Sequence, residues 1–146
     1  MKFQRCGQIY LILIGLFVVA CKNKNEVDVS NIKLDLKVER FDKELSTLTP
    51  QQVSVKAPQL KQKYGHFYAD YMESILGVGP VTDTAYYLQL RTVLNNKDFK
   101  ALASEVESTF PEMHQREDEL QNAFKHILYY YPKTKPPRLI TFLSGF

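Results

Sequence analysis

Thiols are almost missing from this sequence: its 146 residues include two cysteines, Cys6 and Cys21, both at the amino-terminal end. If Cys6 departs with an export signal and Cys21 carries lipid, nothing remains for a disulfide, a thiolate nucleophile or a zinc-thiolate site. A charge excess of one sign is missing as well. The formal net charge is +3, but without Lys2 and Arg5 of the leader, 17 basic residues face 16 acidic ones. No surplus is left to neutralise phosphates, which excludes nucleic acid as a charge-driven partner. Nor is any uncharged run long enough for a membrane span. The longest candidate, Cys6 to Cys21, has 16 residues, whereas a helix rising about 1.5 Å per residue needs roughly 20 to cross a bilayer. A phosphate-cradling glycine loop is also lacking. Gly77-Val78-Gly79 is followed by Pro80 and has neither the Lys and Ser/Thr of a P-loop nor the preceding strand of a dinucleotide fold.

What is present begins with a leader. Lys2 and Arg5 precede an uncharged stretch from Ile9 to Val19 and a small-residue cleavage position, the anatomy of a secretory signal over residues 1–20. Val18-Val19-Ala20-Cys21 resembles the bacterial lipobox, in which the cysteine becomes the first mature residue and is acylated. Cys21 is therefore the predicted lipidation site, and the membrane a predicted partner through that lipid. Each buried methylene contributes about 0.8 kcal/mol, so two or three chains anchor durably where one does not. Residues 21–30 are polar and aperiodic after the cysteine, as expected of a tether without fixed structure. Residues 31–146 then have room for one domain, with 45% apolar and 24% charged residues in the whole chain, ordinary values for a globular fold.

The hydrophobic pattern of that domain predicts an α+β fold, mainly helical, with about four helices between an amino-terminal and a carboxy-terminal strand. Ile32, Leu34, Leu36 and Val38 alternate with Lys33, Asp35, Lys37 and Glu39, the signature of a half-buried strand. At Arg40-Phe41-Asp42 the alternation slips, which marks a bulge or the end of the strand. After a loop holding Pro50 and Pro58, Leu60, Tyr64, Phe67, Tyr71 and Ile75 recur at helical spacing, and Gly77 is placed for a left-handed cap. Thr82 or Asp83 is expected to cap a second helix bearing Tyr86, Tyr87, Leu90 and Leu94, which Asn95-Asn96 breaks. Asp98 is expected to cap a third through Phe99, Leu102, Val106 and Phe110, ahead of Pro111. In the fourth, Met113, Leu120, Phe124, Ile127 and Tyr131 share a face, and the apolar Tyr129-Tyr130-Tyr131 turn is expected to be enclosed on several sides. Pro132, Pro136 and Pro137 end it. Arg138 to Leu143 reads as a strand covered on both faces. Two strands make a poor sheet, so the core is expected to be incomplete, the chain being a fragment or its sheet being completed in trans.

Chemistry-bearing clusters are few. His114 and His126 lie 12 residues apart on the fourth helix, about 18 Å at 1.5 Å per residue, too far to share a metal. His126 sits with Gln115, Glu119 and Asn122 on a polar stripe and, like Arg40 at the strand's end, is a candidate partner-facing residue. His66, Asp70 and Glu73, at i, i+4 and i+7, share a helical face, but without a His-Glu-x-x-His pattern the solvated-face reading is preferred to metal binding. Glu117-Asp118-Glu119 point about 100° apart in succession and read as surface charge rather than an acid/base pair. No catalytic residue, cofactor or metal site is predicted.

Several segments together resemble the gliding-motility lipoprotein GldB family of the Bacteroidota. They are the lipobox at Cys21, Val38-Glu39-Arg40-Phe41-Asp42, Ile75-Leu76-Gly77-Val78-Gly79, the helix from Glu119-Leu120 to Ala123-Phe124-Lys125-His126, and Thr141-Phe142-Leu143-Ser144-Gly145-Phe146. Members of that family continue beyond the Ser-Gly-Phe segment, so the resemblance implies the amino-terminal part of a longer protein. It further implies a non-enzymatic cell-envelope lipoprotein of the gliding machinery, partnered by other gliding and type nine secretion proteins. Lys22 differs from the aspartate that retains lipoproteins at the inner membrane, which favours the outer one. The family's distant likeness to zinc-dependent peptidases supplies the alternative, the front part of a metallopeptidase-like envelope enzyme.

Overall fold

The computed structural model describes residues 27–144; the leader and Cys21 lie outside them, as do Gly145 and Phe146. The described residues divide into two units, 27–33 and 34–144. In the first, the tether's end takes up a fixed turn where none is expected. The Asp28 carboxylate accepts from the Ser30 amide at 2.9 Å and Ile32 N–H bonds the Val29 carbonyl at 3.1 Å, because an aspartate side chain readily mimics a backbone turn.

The second unit runs β1 (Val38–Glu39), α1 (Phe41–Ser46), α2 (Val53–Tyr64), α3 (His66–Asp70), a π-helical turn (Tyr71–Ile75), α4 (Tyr86–Asn95), α5 (Lys97–Thr109), α6 (His114–Tyr130) and β2 (Leu139–Ile140). The fold is α+β and mainly helical, with a short strand towards each end. β1 and β2 pair in parallel, Val38 opposite Leu139 and Glu39 opposite Ile140, so the helical body is one long crossover between them.

The predicted strand over residues 32–38 keeps its alternation, with Lys33, Asp35 and Lys37 exposed and Leu36 buried. Only its last step pairs in a sheet. Its amides turn instead to α6: Leu36 N–H donates to Gln121 Oε1 at 3.1 Å and Val38 N–H to Glu117 Oε1 at 2.8 Å. The geometry matches, since two residues of strand advance about 6.6 Å and four residues of helix about 6 Å.

The core gathers α1 to α4. Val53, Ala57, Leu60 and Tyr64 form the buried stripe of α2, joined by Phe41, Leu45, Tyr68, Tyr71, Met72, Tyr86, Leu90 and Leu94. Three local expectations are corrected. Pro58 lies within α2 rather than in a loop; the carbonyl of Ser54, which its missing N–H leaves unbonded, belongs to an exposed residue, where water can serve it. The helix expected from Leu60 to Ile75 is broken at Gly65, whose φ of +59° suits glycine, and then widens into the π-turn. The break and the wider turn shift the phase, so Tyr68 and Met72 are fully buried while Ile75 is 38% exposed. Gly77, at φ +63°, ends the segment in the left-handed conformation, as predicted. Asn96, not Asp98, caps α5: its Oδ1 accepts from the amides of Asp98 at 2.7 Å and Phe99 at 3.2 Å.

At the carboxy-terminal end the covering layer is thinner. Neither α5 nor α6 has a buried residue. On α6 the inward positions include Glu117 and Gln121, while Leu120, Ile127 and Tyr131 of the predicted apolar face are exposed, and Tyr129 to Tyr131 are open to solvent rather than enclosed. Phe142 is 42% exposed, so β2 and its extension are not covered on both faces.

Candidate functional site

The one buried charged residue among those described is Asp42, in the first turn of α1, and it joins the two ends of the unit. Arg40 wraps back to it, Nε donating to Oδ1 at 3.0 Å and Nη2 to Oδ2 at 2.9 Å, while the Thr141 hydroxyl donates to Oδ1 at 2.5 Å. Backbone bonds continue the join: Thr141 N–H donates to the Glu39 carbonyl and Asp42 N–H to the Thr141 carbonyl, each at 3.0 Å. The otherwise orphaned amide at the start of α1 is thereby satisfied by the chain following β2. Arg40 reaches further, to the Phe110 carbonyl at 2.9 Å and Glu107 at 3.4 Å, and Lys43 binds Glu107 at 2.6 Å. One arginine ties β1, α1 and α5 together.

Burial is the largest influence on Asp42 and opposes its ionisation. The hydrogen bonds from Arg40 and Thr141, with the Arg40 charge and the Lys43 amide, outweigh it and hold the carboxyl below its usual range. The same pairing keeps the Arg40 guanidinium charged. A carboxylate so held is a weak proton acceptor at neutral pH, so the cluster is suited to positioning rather than to general base work. Asp42 and Thr141 also help to line a groove of about 350 Å³ whose apolar wall includes Leu102, Val106, Phe110, Met113 and Phe142.

A second polar join lies on the other side of β1. Arg138 holds Glu39 through two parallel bonds of 2.8 Å, and its guanidinium lies 5.8 Å from the Tyr64 ring centre. Tyr64 donates its hydroxyl to Glu44 at 2.8 Å, and Lys63 pairs with the same carboxylate at 2.5 Å.

The residues singled out from sequence are scattered. Cys21 lies outside the described residues. Arg40 is 15% exposed at its side chain and committed to the contacts above; His126 is half-buried on α6. His66, Asp70 and Glu73 are exposed, Glu73 accepting from the Val81 amide at 3.3 Å. No group of three His, Cys, Asp or Glu side chains among the described residues is arranged to hold a metal. His114 stands 3.5 Å from Glu117 and is 80% exposed. Glu117 is not ordinary surface charge: its side chain is 13% exposed, and the bond from the Val38 amide lowers its carboxyl pKa. Glu119 pairs with Arg116 at 2.9 Å. Sequence reasoning passes over Asp42, Thr141 and Gln121. The Arg-x-Asp spacing at the slipped strand end is the available signal for Asp42; Thr141 and Gln121 carry none.

These features define a mainly helical α+β domain closed by the pairing of β1 with β2 and locked by an arginine and a threonine that meet on the buried Asp42. The family model described as gliding motility protein GldB matches residues 22–146. The chain belongs to that family. No curated protein matches it, and no solved structure does.

Proposed function

We propose that this chain is a lipid-anchored, non-enzymatic component of the bacterial gliding machinery, held in the cell envelope and favouring the outer membrane. The observation that carries the reading is the family match over residues 22–146, which begins one residue after the lipobox cysteine. The commitment of Asp42 and Arg40 to internal bonds supports a scaffolding role over a catalytic one. Its partners are other gliding and type nine secretion proteins of the envelope, and Lys22 behind the cysteine favours outer-membrane sorting. The test is genetic: a clean deletion is expected to abolish colony spreading and movement of single cells on glass, and normal movement in the deletion strain overturns the role.

The anchor has its own test. Cys21→Ser is expected to prevent acylation and move the protein from the membrane fraction to the soluble one, because the leader's uncharged run falls short of a stable span. Membrane retention of that variant would mean that acylation of Cys21 is not what holds the protein to the membrane.

A further inference from the structure

The carboxy-terminal end of α6 and the segment after it carry a surface that neither the core nor the Asp42 cluster uses. Between Leu120 and Phe146 the sequence holds Lys125, Lys133, Lys135 and Arg138 and no Asp or Glu. Arg138 is engaged by Glu39, whereas Lys125, Lys133 and Lys135 make no ion pair among the described residues. Beside them Tyr129, Tyr130 and Tyr131 are 52%, 62% and 68% exposed, and Ile127 extends the apolar surface by a turn at 40%.

We propose that this aromatic and basic tip rests in the headgroup region of an anionic lipid bilayer, as a contact additional to the amino-terminal acyl chains. Charge and side-chain chemistry favour this occupant. Tyr129 and Tyr130 pack edge to face with 5.1 Å between ring centroids and are both exposed, a paired aromatic surface with these lysines on either side of it in the sequence. Tyrosine also suits that depth, its ring in the acyl boundary and its hydroxyl among the headgroups, and lysines flanking it complement anionic lipid. Pro132, Pro136 and Pro137 stiffen the exposed segment carrying Lys133 and Lys135. The contact is peripheral, since no helix among the described residues is long and apolar enough to cross a membrane.

The chain has no tryptophan, which allows a clean depth measurement. Tyr130→Trp, and as a control Leu88→Trp at a 64% exposed position of α4, are introduced singly into the full chain. Each is mixed with excess vesicles carrying brominated acyl chains, of phosphatidylcholine alone or with phosphatidylglycerol added. Indole emission of the Tyr130→Trp variant is expected to be quenched at least threefold more than that of the Leu88→Trp control in the anionic vesicles, and the excess to disappear when Lys133→Glu and Lys135→Glu are added. Equal quenching of the two variants, or quenching of Tyr130→Trp that is indifferent to anionic lipid, overturns the proposal. So does a concentration-dependent blue shift of the Tyr130→Trp emission without lipid, which assigns the tip to a second copy of the chain. Mass spectrometry of the amino terminus reads the acyl anchor separately, so its failure is distinguishable from failure of the tip.

Discussion

Phe41→Ala is expected to reduce folding stability by about 4 kcal/mol, in the range for removing a large buried aromatic side chain. Phe41 is fully buried at the start of α1, and four rings surround it: Tyr64 at 4.8 Å, Tyr71 at 5.0 Å, Phe67 at 5.2 Å and Tyr68 at 6.0 Å between centroids, all near edge-to-face. Truncation removes the apolar area, leaves a cavity, and deletes aromatic pairs that each contribute roughly 0.5–1.5 kcal/mol beyond area. Domains of this size are stable by about 5–15 kcal/mol, so much of the margin goes. With a urea slope of about 1–3 kcal/mol per molar, the unfolding midpoint should fall by more than about 1 M. Phe41→Leu should be substantially milder. A loss below about 1 kcal/mol for the alanine variant is incompatible with a ring packed at the centre of this cluster.

Asp42→Ala should be the next most damaging change, at about 3 kcal/mol, because it strands a largely covered arginine and an inward hydroxyl together. The sign of the pH dependence follows from the lowered carboxyl pKa. The folded-state value lies below the unfolded one, near 3.9, so the unfolded chain binds more protons in acid and stability rises with pH across that window. The contribution is fully present above the unfolded pKa and is lost as pH falls through the folded one. Thermal melts from strongly acidic to neutral pH should show a shallower acid decline for Asp42→Asn than for the native chain. Parallel curves would mean that the carboxylate of Asp42 titrates alike in both states. Replacing Arg40 and Asp42 together by apolar residues should cost less than Asp42→Ala alone, since no charge is then left without its partner.

Signals that are local in origin are legible in the sequence. Gly77 caps because no side chain opposes a positive φ there, and Tyr86, Leu90 and Leu94 are buried on α4 because their spacing follows the helical repeat. Asn95-Asn96 does break the chain between helices, but Asn96 is the cap. α1 is invisible to the same reading. Six residues are too few to display a period, and its buried positions, Phe41, Asp42 and Leu45, include a carboxylate that no hydrophobic pattern places inside.

By itself, then, the order of residues determined that the chain is a mainly helical α+β domain, where most helices stop, and that its ends carry the strands. It also supplied the family resemblance. Which side of α6 faces inward was decided only by the fold. Periodicity argued for Leu120 and Ile127, yet Glu117 and Gln121 face the extended segment whose amides need acceptors. The meeting of Asp42 with Thr141, 99 residues apart, has the same origin. Spacing within one element follows from backbone geometry, but satisfying a buried amide or a buried charge depends on whatever the crossover brings beside it.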